Sequence, residues 1–208
     1  GAHREEVFDG LKLLGNVLSK EKRSSEVINF IKDTIVDLEN RTQNLKSSER
    51  PTAYVGGVNY KGSHGISGTE PKFAPFQFLN ARNPASSLGV EHVMVSNEKI
   101  IEWDPDFIFV DEGSYSLVMK DLNDPKFKGL GAVEERNIYG ILPQSYYSHN
   151  FANVLANSYF IGDVLYPERF SDVSPVRKSD EIYSELIGES VYSKFKKDFG
   201  GFKKIEIS

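Results

Sequence analysis

The sequence predicts an α/β fold in three layers, a Rossmann-like arrangement with a mostly parallel sheet between helices, preceded by a long helical stretch. Three observations predict it. Phe107-Ile108-Phe109-Val110 is an uninterrupted apolar run closed by Asp111-Glu112-Gly113, and a run without alternation marks a strand buried on both faces, as in parallel sheets. Short runs of that kind alternate with helical periodicity along the chain, the pattern of a layered α/β unit with right-handed crossovers. Residues 4–50 carry only helical spacing, with Val27, Ile28, Ile31, Ile35, Leu38 and Leu45 on one face.

From the N-terminus, Val7, Leu11, Leu14 and Leu18 recur at helical spacing, weakened in the middle by Gly15-Asn16, before the cleaner helix that begins near Lys20. Ser47-Ser48-Glu49-Arg50-Pro51 ends the helical region with turn chemistry. Periodicity alone leaves this region open between a helix packed on its own domain and a connector to another one. Thr52–Gly57 reads as the first strand, Val58–Glu70 as a polar loop and Pro71–Asn80 as a short aromatic helix. Glu98, Ile100 and Ile101 lie on a short helix that must end before Pro105, because the residue before proline is pushed out of the α region. Phe107–Val110 is the second strand, Tyr115–Leu122 a helix, Asn137–Leu142 the third strand and Phe151–Leu165 a helix. Pro167 and Pro175 act as breakers, and helical patterns return over Asp180–Ile187 and Val191–Phe199.

The chain has 208 residues, 26% charged and 39% apolar, with a net charge of −5. This is the composition of a folded globular chain, and the acidic balance argues against a nucleic-acid partner, which calls for a basic stripe. The lack of cysteine excludes disulfides and thiolate metal sites. No apolar run approaches the roughly 18 residues of a membrane span. The serine-hydrolase elbow, the zincin motif and the phosphate loop are missing, and Gly129-Leu130-Gly131 lacks the third glycine of a dinucleotide fingerprint. The histidines at 3, 64, 92 and 149 have no metal-ligand spacing, so no metal or cofactor is expected.

What remains are the loops that follow the strands, which a parallel sheet brings to one edge. They offer Tyr60, Lys61 and His64, then Glu112 and Tyr115, then Tyr146, Tyr147 and His149 as candidate ligand contacts. Tyrosines give flat amphipathic surfaces, and lysine and histidine suit an anionic ligand. Singly, each reads as a solvated loop residue; their co-location raises the set above that. Phe73, Phe76 and Phe78 read as core, Asp104 and Asp106 as turn formers, and Glu98 by itself as a solvated helix charge.

Two segments carry a family resemblance. Asn97-Glu98-Lys99-Ile100-Ile101 followed by Asp104-Pro105-Asp106-Phe107-Ile108-Phe109-Val110, and the lead-in Leu13-Leu14-Gly15-Asn16-Val17-Leu18-Ser19-Lys20-Glu21, resemble the extracytoplasmic substrate-binding proteins of iron-complex and cobalamin ABC importers. The resemblance implies a non-enzymatic protein of two α/β lobes joined by an interlobe helix, with ligand held between the lobes. One copy of the Pro-Asp unit then implies a helical connector at 4–50 and a C-terminal lobe at 51–208, with the N-terminal lobe upstream. It also implies a metal-chelate ligand (siderophore, haem or corrinoid), docking of Glu98 on the ABC permease, and an extracytoplasmic location with membrane anchoring of the full-length protein. Loop 60–70 is longer and richer in glycine than is typical of that family. The alternative from a different class is a small α/β hydrolase or transferase that uses His64 or His149 as a base.

Overall fold

The computed structural model describes residues 2–145 and 149–207. In order, the chain forms α1 (Ala2–Val17), α2 (Glu21–Thr42), β1 (Ala53–Gly56), β2 (Gly68–Thr69), α3 (Ala74–Phe78), β3 (Val93–Met94), α4 (Asn97–Trp103) and β4 (Phe107–Asp111). It continues through α5 (Tyr115–Leu122), α6 (Gly131–Glu134), β5 (Ile138–Ile141), α7 (Phe151–Leu165), α8 (Pro175–Ile187), α9 (Tyr192–Phe199) and β6 (Lys203–Lys204). The main sheet has the order β1-β4-β5-β6; β1, β4 and β5 are parallel, and β6 runs antiparallel to β5.

Successive strand residues point to opposite faces, so each strand feeds two cores. Tyr54, Ile108, Val110 and Ile138 pack with Ile100, Val118, Leu122 and Leu130 under α4, α5 and α6. Val55, Phe109 and Ile141 face the other way, onto Phe76, Phe78, Leu155, Tyr159 and the apolar face of α2. The three-layer expectation holds, and Phe73, Phe76 and Phe78 are core residues, each 1% exposed.

Ile31, Ile35 and Leu38 of α2 belong to the same core as β1 and α7. Arg41 strengthens the attachment, bridging Asp37 at 2.9 Å and Asp172, in the segment before α8, at 2.7 Å. Gly15 does not weaken α1. A Cβ there would lie 2.6 Å from Ser24 Cβ, and Ser24 Oγ donates to Leu11 O at 2.8 Å, so this glycine is the contact at which α1 and α2 approach closely. By contrast Leu13, Leu14, Val17 and Leu18 are all more than half exposed.

The two aspartates beside Pro105 are structural clamps. Asp106 Oδ2 accepts from Thr52 N and Thr52 Oγ1, both at 2.6 Å, which ties the start of β4 to the start of β1. Asp104, in a left-handed cap at φ 40°, accepts from Gly131 N at 2.8 Å and seats α6.

Two local expectations change, and one strand is added. The polar loop 58–70 contains β2, which pairs with β3 in a small antiparallel sheet. Pro175 opens α8 rather than breaking a helix, a position where its missing N–H costs nothing. The C-terminal segment supplies β6, and Lys203 Nζ pairs with the buried Glu112 at 2.7 Å. Among the described residues no helix is long and apolar enough to cross a membrane.

If α2 is integral to the cooperative unit, Leu38→Ala, at a fully buried position, should cost about 3 kcal/mol. Leu14→Ala, at a position 56% exposed, should cost less than about 0.5 kcal/mol. Urea unfolding of both variants measures this, and equal midpoints would detach α2 from the core.

Candidate ligand-binding site at the strand ends

The carboxyl ends of β1, β4 and β5 meet at one edge of the sheet and are stitched together by buried polar groups. After β1, Gly57 takes φ +78°, and a Cβ there would lie 2.6 Å from Val118 Cγ2, so only glycine lets the chain pass this close to α5. Asn59 is then buried, and its Oδ1 accepts from Ser114 Oγ at 2.8 Å. The same Ser114 Oγ accepts from His64 N at 3.2 Å, joining the first loop to the second. Asp111, fully buried at the end of β4, accepts from Gly113 N at 2.9 Å and from Gln144 N at 3.4 Å, joining the second loop to the third. Burial pushes the Asp111 carboxyl up to about 7, against the pull of those two N–H donors.

On this polar base the first loop turns outward through Lys61, at φ +54°, leaving Tyr60 45% exposed and Lys61 exposed. Lys61 Nζ lies 5.1 Å from the centroid of the Tyr60 ring. His64 Nε2 donates to Tyr60 O at 2.9 Å. His149, from the third loop, reaches Glu70 just beyond β2, with Nε2 3.3 Å from Oε1. That contact raises the His149 pKa above the ordinary histidine value, and burial opposes it.

The structure divides the residues singled out from the sequence. Tyr60, Lys61 and His64 share one loop beside the Ser114 turn, and His149 joins this edge through Glu70. Glu112 and Tyr115 form a different cluster. Glu112 points toward β6, where a Cβ on Gly140 or Gly200 would lie within 2.7 Å of its Oε1, and Lys203 Nζ stands 4.4 Å above the Tyr115 ring. Burial raises the Glu112 pKa and the Lys203 ammonium opposes this. Tyr146 and Tyr147 lie outside the described residues.

Sequence reasoning passed over His92 and Glu70. The β2–β3 pairing brings both to the edge: His92 Nε2 donates to Val58 O at 3.2 Å, and its ring stacks on Tyr60 at 5.2 Å and 14°. With two residues per strand, this sheet has no periodicity from which it could have been read. Among the described residues no group of three or more His, Asp and Glu side chains is arranged to hold a metal ion.

Glu98 is exposed in the first turn of α4, where its own N–H and the Ser96 side chain hold its pKa down. Val95 N donates to Ser67 O at 3.0 Å, whereas Trp103 packs near Tyr54 at the start of β1. Helix α4 therefore runs back along the sheet, with Glu98 at the same end as His92.

Residues 1–145 match the family model described as periplasmic binding protein. The molybdate-binding protein MolA of Haemophilus influenzae is 22% identical over 190 residues, covering 89% of this chain and 52% of that protein. Its molybdate-bound structure superposes with a TM-score of 0.72 at 20% identity, over 90% of this chain and 57% of MolA. A periplasmic solute binding protein from Veillonella parvula gives a TM-score of 0.71 at 18% identity, over 94% and 60% of the two chains. An ABC-type Fe3+-hydroxamate transport system protein from Saccharomonospora viridis gives 0.56 at 16% identity, over 78% and 56%. The chain thus spans little more than half the length of these relatives.

The Glu70–His149 pair has a defined pH signature. The folded-state pKa of His149 is raised, so the stabilisation is complete below the ordinary histidine pKa and is lost as pH rises through the folded value. In Glu70→Gln, the His149 pKa followed by NMR should fall, and the matching loss of stability between pH 5.5 and 8.5 should shrink. An unchanged titration would remove Glu70 as the cause.

Proposed function

Since the chain belongs to the periplasmic binding protein family, we propose that it is the C-terminal ligand-binding lobe of an extracytoplasmic substrate-binding protein serving an ABC importer. In this reading residues 4–50 lead in from a second lobe and residues 51–208 form the lobe itself. The observation that carries it is the stitched strand-end edge, with Tyr60, Lys61, His64 and His149 above a buried polar base. An edge of this kind can grip one side of a ligand, and the other side is left for the second lobe. The function is capture and delivery without chemistry, as the family's role in transport supports.

The ligand class follows from the edge chemistry. Lysine, protonated imidazole and tyrosine offer donors and positive charge, which suits an anion. A metal oxyanion, as for the molybdate-binding relative, meets that description, and so does an anionic iron chelate such as a ferric tris-catecholate; the Fe3+-hydroxamate system relative supports iron chelates as a class, with haem and corrinoids as the wider set. Calorimetric titration with molybdate and with ferric siderophores tests this. A form carrying both lobes should bind at least about tenfold more tightly than this chain, a difference of 1.4 kcal/mol. Equal affinities would overturn the one-lobe reading.

Glu98 is proposed as the contact with the permease. It is exposed, ionised and at the ligand end of the sheet, and charge of this kind aligns partners and speeds their encounter. Glu98→Lys should impair uptake by the full-length protein several-fold while ligand affinity stays within about twofold. Normal uptake by that variant would remove the assignment.

A further inference from the structure

We propose that Tyr60, His64 and His92 act as one proton-linked receptor for an anionic ligand, with His92 as the residue through which binding is coupled to proton uptake. This rests on the ligand-binding reading above and deepens it. The geometry is a contiguous group of three rings, one pair stacked and the other tilted. His92 lies between its neighbours, 5.2 Å from the Tyr60 centroid at 14° and 5.1 Å from the His64 centroid at 35°. Both imidazoles donate Nε2–H to backbone carbonyls, His92 to Val58 O at 3.2 Å and His64 to Tyr60 O at 2.9 Å. A carbonyl oxygen only accepts, so each Nε2 keeps its hydrogen in both protonation states and the second proton of each ring goes to Nδ1.

Two imidazolium rings this close repel each other, and half-burial of His92 adds a desolvation cost to charging it. The lowered pKa of His92, from burial first and the His64 charge second, agrees with this. The other charged groups at the edge do not cancel the repulsion. Glu70 acts on His92 only weakly, and its carboxylate is held by His149. Lys61 adds a further positive charge over Tyr60. The free protein near pH 7 therefore disfavours a charged His92. An anion seated against His64, His92 and Lys61 would supply the missing negative charge, favour the charged form of His92 and draw in a proton as it binds. A neutral ligand has no such effect.

The sign of the linkage follows. Because the bound state holds more protons, affinity rises as pH falls through the histidine range, by up to tenfold per pH unit for each proton taken up. Calorimetric titration of the intact chain at pH 7.5, 6.5 and 5.5, at constant ionic strength, should tighten Kd about tenfold overall for a partial proton. Three probes separate the ligand sources: molybdate, a ferric tris-catecholate and cyanocobalamin. Whichever anion binds should show the dependence. Repeating the titration at pH 6.5 in buffers of different ionisation enthalpy should report net proton uptake in the unmodified protein. His92→Phe keeps a ring in the stack and removes the proton, and its Kd should change less than about threefold over the same range. His92→Gln keeps a side-chain donor for Val58 O and should behave alike; thermal melts of both variants establish that they fold. A pH-independent Kd for a bound anion, an unaltered pH slope in both variants, or binding of cyanocobalamin alone would each overturn proton-linked anion capture and leave the binding-lobe reading standing. Failure of all three probes, by this chain and by a two-lobed form, would overturn both.

Discussion

The structure depends on β4 being paired on both sides. Its backbone is bonded to β1 on one edge and β5 on the other, in register from Ala53↔Phe107 and Ile108↔Ile138 onward. Its side chains serve both apolar layers, which is why Phe107–Val110 carries no polar alternation. A strand locked in four directions cannot shift, so its polar end, Asp111 through Ser114, becomes the fixed reference from which the neighbouring loops are hung. The strand-end loops are positioned from that end, and the Asp104 and Asp106 clamps set its other end in the same way.

Below the edge Asn157, Asn153 and Tyr183 are buried yet bonded. Asn157, fully buried on α7, accepts from Leu142 N at 3.0 Å and donates to Leu142 O at 2.8 Å, holding the backbone just past β5. Tyr183 OH on α8 donates to Asn153 Oδ1 at 2.6 Å, and Asn153 Nδ2 donates to Pro143 O at 2.6 Å. A bonded network of this kind costs little, whereas removing one member would strand its partner without water. The loop bases are therefore held in place, and the first loop carries Tyr60 and Lys61 outward from them. On the proposed binding role, a ligand would meet residues that are already placed, which spares part of the ordering cost of capture.

Much of this was legible from sequence because it rests on long repeats. The helical face Ile28–Leu38, the apolar run at Phe107 and the helix Phe151–Leu165 each span enough residues for periodicity or continuity to register. What escaped was set by contacts between short or distant pieces. The strands β2, β3 and β6 have two residues each, too few for any pattern, yet β2–β3 carries Glu70 and His92 to the edge. Glu112 and Tyr115 follow a strand as a ligand loop does, but β6 returns from the far end of the chain and engages them through Lys203. Gly15 reads as a flaw in a helix until the second helix is laid against it. The family relationship was readable because the Pro-Asp unit joins clamp residues to the buried strand in one contiguous stretch.

The placement of β6 has a consequence for the integrity of the whole protein. A sheet is vulnerable where its last strand leaves N–H and C=O groups bare, since another chain can pair there. Here residues 203–205 occupy the β5 border: Ile205 N donates to Ile138 O at 2.8 Å, and the strand just before it carries two lysines, which discourage further pairing. Trimming the last few residues would open that border and deprive the buried Glu112 of its cation in the same cut. Residues 203–205 thus cover this border of the sheet as well as completing it.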